Sequence, residues 1–128
     1  MDSDRDDPLR NILRAAPVVP VLTIEDRDTA VALARALVVG GLTALEVTFR
    51  TPAAADCIRA IAAEVEGADV GAGTVLDRRQ LDQAVVAGAR FLVSPGATPD
   101  LEPPLLPVPP YIVLNNSAKW TALEFCTG

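Results

Sequence analysis

The feature that most constrains this chain is a recurring form: a short apolar run, then a helical pattern, at nearly even steps. The runs begin near residues 18, 44, 69 and 91, at intervals of 26, 25 and 22 residues. Apolar runs of strand length alternating with amphipathic helices predict right-handed βαβ units and a parallel sheet. The first strand is read over residues 17–24, with Pro20 at a bulge or unpaired position because proline cannot donate to a ladder. The second covers residues 44–50, the third 69–75, and the fourth 91–94, followed by a turn at Pro95-Gly96. Steps this short and even fit a (β/α) barrel better than a dinucleotide-binding fold. The only glycine pattern, Gly71-Ala72-Gly73, matches half of a dinucleotide fingerprint and is weak evidence for one.

Helix boundaries follow from caps and prolines. Residues 1–7 read as a frayed acidic tail. Asp7 then Pro8 opens a short helix carrying Leu9, Ile12 and Leu13 and ending near Ala16. Asp26 or Asp28 caps the second helix, in which Ala30, Leu33, Ala34, Leu37 and Val38 recur at helical spacing. Gly40-Gly41 stops it. Thr51-Pro52 is expected to cap and start the third helix, with Ala55, Ile58, Ala62 and Val65 as its buried stripe. Cys57 lies near that stripe and reads as a small core residue, since nothing nearby in sequence offers it a base. Asp77 caps a fourth helix with Leu81, Ala84, Val85 and Gly88 on one side.

The second strand carries chemistry. Side chains alternate along a strand, so Leu45, Val47 and Phe49 share one face and Glu46, Thr48 and Arg50 share the other. Both faces of a parallel strand are normally covered and apolar. Two charges on one such face are costly unless paired or used. Arg50 stands at the carboxyl end, where α/β folds place their ligands. The plain alternative is a solvated edge strand or a structural Glu–Arg pair.

Composition narrows the functional classes. The net charge of −6, with acid gathered in Asp2, Asp4, Asp6 and Asp7, argues against nucleic acid, which needs a basic patch. No apolar run reaches transmembrane length, and the acidic start is unlike a signal peptide. The 128 residues hold no histidine and two cysteines, Cys57 and Cys126, so neither a metal site nor a disulfide framework is expected. No cofactor is expected, and a cytoplasmic location follows as the default.

After Leu101 the texture changes. Five of the eleven prolines fall between Pro103 and Pro110, and residues 115–128 hold the sole Lys119 and the sole Trp120. Tyr111-Ile112-Val113-Leu114 fits one further strand, but the regular alternation has ended. Two regions are therefore expected: residues 1–101, built of four or so β/α units, and an irregular tail over residues 102–128, read as frameshifted or disordered.

Taken together, the motifs resemble the class I aldolases that cleave 2-keto-3-deoxy-6-phosphogluconate and 4-hydroxy-2-oxoglutarate. The resemblance rests on Pro17-Val18-Val19-Pro20-Val21, Leu45-Glu46-Val47-Thr48-Phe49-Arg50-Thr51, Val70-Gly71-Ala72-Gly73-Thr74-Val75-Leu76 and Ser94-Pro95-Gly96, in that order, over about residues 12–100. It implies the first half of a (β/α)₈ TIM barrel, usually trimeric, and Schiff-base cleavage of a phosphorylated sugar acid or related keto acid to pyruvate. Glu46 would be the general acid/base working through water. Arg50 and Thr74 would hold the pyruvyl carboxylate, and Pro95 would shape the pocket wall.

The departure is the lysine. The family's Schiff-base lysine lies in a Lys-Phe-Phe-Pro-like strand absent here. Residues 121–125 resemble its surroundings, with Glu124 where the lysine would stand, and Lys119 matches no family position. The strands expected to bind phosphate are also missing. Three readings stay open: an aldolase working alone or with a partner that supplies the second half, a non-catalytic relic truncated after about residue 101, and a carboxylate-binding or assembly module. A half-barrel leaves its inner face and two edges open, so Ile24, Val47, Val70 and Val93 are expected to lack partners. The chain is then expected to form a homo-oligomer or to aggregate through its edges.

Overall fold

A computed structural model describes residues 8–15, 18–94 and 111–114. The elements follow in the order α1 (Pro8–Arg14), β1 (Val21–Leu22), α2 (Arg27–Val39), β2 (Ala44–Thr48), α3 (Ala54–Glu64), β3 (Asp69–Gly73), α4 (Arg78–Ala87), β4 (Phe91–Ser94) and β5 (Tyr111–Leu114). The strands form one sheet in sequential order β1-β2-β3-β4-β5, and every pairing is parallel. Sequential order with a helix between successive strands from β1 to β4 is the arrangement of a partial (β/α) barrel. The fifth strand expected at Tyr111 is present beside β4.

The sheet has two unlike faces. Leu45 pairs with Val70 and Val47 with Ala72, and all four are buried against the helices together with Ile58, Ile61 and Leu81. This layer holds most of the buried apolar surface, and burial of one large aliphatic side chain stabilises by about 1.5–3 kcal/mol. The opposite face pairs Glu46 with Gly71 and Thr48 with Gly73. Its amino-terminal end is filled by a second cluster in which Ile12 of α1 packs on Ala44 and Phe91. The short first helix is thus a plug under the inner face.

Several expectations need correction. Ile24, Val47 and Val70 are buried, because they face the helix layer, which is complete here; only Val93 is half-buried. The first strand is two residues long, since Pro17 and Pro20 interrupt its donors; Pro20 enters the sheet only as an acceptor, its carbonyl taking the Glu46 N–H at 3.0 Å. The third helix starts at Ala54, and Ala53 caps it without a side-chain hydrogen bond. Thr51 is occupied elsewhere, donating its hydroxyl to the Ile24 carbonyl at 2.7 Å.

The buried stripes shift as well. Val31 lies inside α2 while Leu33 is exposed, Ala54, Cys57 and Ile61 replace Ala55 and Ala62 in α3, and Ala87 replaces Val85 in α4. In alanine-rich helices apolar residues occur on every side, so the sequence alone marks the inward face weakly. Asp26 and Asp77 cap as expected, accepting from the Thr29 and Gln80 N–H groups at 2.9 and 2.8 Å. The acidic tail, Ala16, Pro17, Pro95 and all of residues 95–110 and 115–128 lie outside the described residues.

Candidate functional site

The inner face is layered along the strands. Its lower layer is apolar: Phe91, Ala44, Ile12 and, partly buried, Leu13, Val19 and Val93. Toward the carboxyl ends the face is polar: Glu46 and Thr48 of β2 and Thr23 just beyond β1, with Arg50 in the turn after β2 and Thr74 directly after β3. A floor of packed apolar groups beneath convergent polar ones is the usual anatomy of a small-molecule site.

Two glycines make the layers possible. A Cβ on Gly71 would collide with the Phe91 ring, and a Cβ on Gly73 would collide with the Glu46 carboxylate. The Gly-Ala-Gly spacing therefore has nothing to do with a dinucleotide. Its two glycines face inward and its alanine outward, leaving room for one ring below and one carboxyl group above. The signal was in the sequence: glycines two apart in a strand next to a strand bearing Glu46.

The Glu46 carboxyl is half-buried, and burial pushes its pKa up from the ordinary carboxylate range, while the Arg50 guanidinium pulls the other way by charge alone. Among the described residues its oxygens accept no hydrogen bond. A buried carboxyl without donors is a costly arrangement, and one with a raised pKa suits proton transfer near neutrality. Arg50 is exposed at the carboxyl end of β2, and a guanidinium carries forked donors suited to a planar anion.

Thr74 has φ +56°, the only positive φ among the described non-glycine residues. A β-branched side chain there costs of order 1–3 kcal/mol. The turn is fixed on both sides: Phe49 N–H donates to the Gly73 carbonyl at 2.8 Å, and Val75 N–H to the Val93 carbonyl at 3.2 Å. Hydrogen bonds on either side thus hold the Thr74 turn directly after Gly73, the residue that the Glu46 carboxyl packs against.

Of the four candidate residues, Glu46 lies on the inner face of β2, Arg50 in the turn after β2 and Thr74 directly after β3, while Pro95 lies outside the described residues. Two hydroxyls not singled out as site residues join them: Thr48, 1% exposed, and Thr23, exposed, share a hydrogen bond of 3.0 Å. Cys57 is fully buried, with burial raising its pKa, which fits a core residue. No group of three metal-ligating side chains occurs among the described residues. Two grooves among the described residues lie outside this layer, one of about 240 Å³ near Phe49, Pro52 and Arg79 and one of about 360 Å³ near Arg27, Arg59 and Glu64.

Comparison with known proteins gives the site a context. A family model described as KDPG and KHG aldolase matches residues 9–108. Over 91 residues the chain is 58% identical to a 2-dehydro-3-deoxy-phosphogluconate aldolase of Zymomonas mobilis, covering 71% of this chain and 43% of that protein. A crystal structure of the Zymomonas mobilis aldolase with 3-phosphoglycerate superposes with a TM-score of 0.68 at 55% identity, over 73% of this chain and 44% of that one. A Legionella pneumophila KDPG aldolase, with pyruvate captured as a covalent carbinolamine, gives a TM-score of 0.74 at 34% identity, over 91% of this chain and 56% of that one. The chain thus spans less than half the length of the curated relative it matches.

Proposed function

This chain belongs to the KDPG and KHG aldolase family, and from that premise we propose that its upper inner layer binds the carboxylate of a 2-keto acid such as pyruvate and holds the proton-transfer group of an aldol cleavage. Arg50 grips the carboxylate through two parallel N–H donors. Thr74 fixes its second edge from the strained turn. Glu46 gives and takes the proton at the carbon next to the carbonyl, through a water molecule. The observation that carries this reading is the Glu46 carboxyl itself. It is half-buried, without a hydrogen-bond partner among the described residues, near enough to Arg50 to feel its charge, in space that only a glycine at position 73 leaves open.

No lysine stands among the described residues to serve as the electron sink. A Schiff base needs an amine, and the sequence has one lysine, Lys119, outside the described residues. A second reading therefore has support of its own: a carboxylate-binding or assembly unit without catalysis. In our reading the chain binds the keto acid but forms no Schiff base unaided. Among the described residues β1 is an edge strand with Val21 60% exposed, which favours a homo-oligomer. No helix among the described residues is long and apolar enough to cross a membrane, and the proposed setting is the cytoplasm.

Borohydride trapping with pyruvate, read by intact mass and peptide mapping, tests this directly. The expected result is no adduct on the folded chain. A pyruvyl adduct on Lys119 would show that the tail supplies the amine and that the chain is an aldolase in its own right.

A further inference from the structure

Gly73 is a glycine that its own backbone does not require. The positive-φ glycines among the described residues are Gly41, Gly67 and Gly88, so Gly73 has a conformation that any residue can adopt. It lies within β3, where a glycine weakens the strand and often marks a close approach. What approaches is Glu46. A Cβ at position 73 would stand 2.7 Å from the Glu46 Cδ and 2.8 Å from its Cγ, and nearer still to Oε1. The register sets Glu46 opposite Gly71, with Gly73 two residues further along β3. The carboxyl therefore leans over β3 toward the carboxyl ends of the strands. Thr48, the register partner of Gly73, turns the other way, its hydroxyl bonding to that of Thr23 at 3.0 Å on the β1 side.

The two inner glycines of β3 differ in what they face. At Gly71 a methyl would meet the fully buried Phe91 ring, which cannot move without disturbing the core. At Gly73 the obstacle is the far end of a flexible side chain. The Gly73 carbonyl is held by the Phe49 N–H at 2.8 Å, so a methyl there would displace the carboxyl and not the strand. Arg50 acts on Glu46 by charge, yet no hydrogen bond or ion pair joins the two. We infer that Gly73 is a positioning residue: the space above it seats the Glu46 carboxyl over β3 and keeps it off the Arg50 guanidinium, leaving the acid for proton transfer and the guanidinium for an anion. This rests on the roles given to Glu46 and Arg50 above, but its test does not use the keto acid. Other ionisable groups around Glu46 are few. β1 offers none between Val21 and Ile24, and β3 offers glycines opposite. Asp69, at the far end of β3, is paired with Arg90 at 2.7 Å, and Glu25 beyond β1 and Arg14 on α1 are exposed.

The test is the titration of the Glu46 side-chain carboxyl, followed by carbon-13 NMR in the folded wild-type chain and in Gly73→Ala. A carboxyl driven from its seat is better hydrated and free to pair with Arg50, and both effects favour its ionised form. The expected midpoint in Gly73→Ala is lower than in the wild type by at least about half a pH unit, about threefold in proton affinity. A glycine needed only by the strand would change the urea midpoint and leave this titration where it was. The same methyl is then placed in a Glu46→Ala background, where no carboxyl stands in its way; it is expected to leave the urea midpoint of that background unchanged or higher. If Gly73→Ala alone does not fold, a folded double variant supports the proposal and an unfolded one overturns it. A folded Gly73→Ala chain whose Glu46 midpoint equals or exceeds that of the wild type overturns it as well. Failure of pyruvate to bind would sink the proposed function without changing this titration.

Discussion

Glu46 is the residue on which the site turns, and its burial has a consequence for stability. In the unfolded chain it loses its proton at the ordinary glutamate value; in the fold it does so at a higher pH. Between those two values the native state holds more protons than the unfolded state, so stability falls as pH rises through that window. Glu46→Gln keeps the shape and removes the titration. The variant is expected to gain on the wild type as pH rises from 4 to 8, seen as diverging urea midpoints. A constant difference at both ends would mean that the carboxyl is not buried as described. At this scale the sequence was informative in part: the alternation placed Glu46 and Thr48 on one face before any coordinates, but the strand expected to run to Arg50 ends at Thr48 and Arg50 lies in the turn after it. The strain at Thr74 was hidden, because nothing in a Gly-Thr-Val string says which residue takes a positive φ.

Elements show where one level of reasoning overrides another. Four of the strands and all four helices were legible from spacing and caps, since Asp26, Asp77 and the paired glycines mark ends by local hydrogen bonding. Thr51 was misread for a tertiary reason: a hydroxyl suited to a helix cap is taken instead by the carbonyl of Ile24, a contact between residues 27 apart. The packing of β4 against Gly71 was beyond the sequence, because only the fold brings the Phe91 ring onto that glycine. That contact predicts coupling. Gly71→Ala alone drives a methyl into the ring, and overpacking costs about 1–3 kcal/mol. Phe91→Ala alone empties the lower layer, at about 3–5 kcal/mol. The double variant lets the new methyl enter the vacated space and is expected to be about 1 kcal/mol more stable than the sum of the two. Strict additivity in denaturant unfolding would place the ring away from Gly71.

At the scale of the whole molecule, the five described strands, parallel and in sequential order, form a partial barrel. The outer layer is finished by α2, α3 and α4, and the floor of the inner face by α1, which is why the core is better packed than a half-barrel suggests. What stays open is the polar upper layer and the β1 edge. The ends of the strands thus carry function while their middles and starts carry stability, as in complete barrels. The central claim is that this open layer, though only part of a barrel, is already a keto-acid site. The most direct test is a pyruvate titration of the isotopically labelled chain, followed through its amide signals and repeated with Arg50→Ala. The account predicts shifts confined to residues 46–51 and 73–75, and binding at least about tenfold weaker in the variant, the loss expected of a charged hydrogen-bonded pair. Folded protein whose signals in that layer do not move, or that binds pyruvate equally well without Arg50, would contradict it.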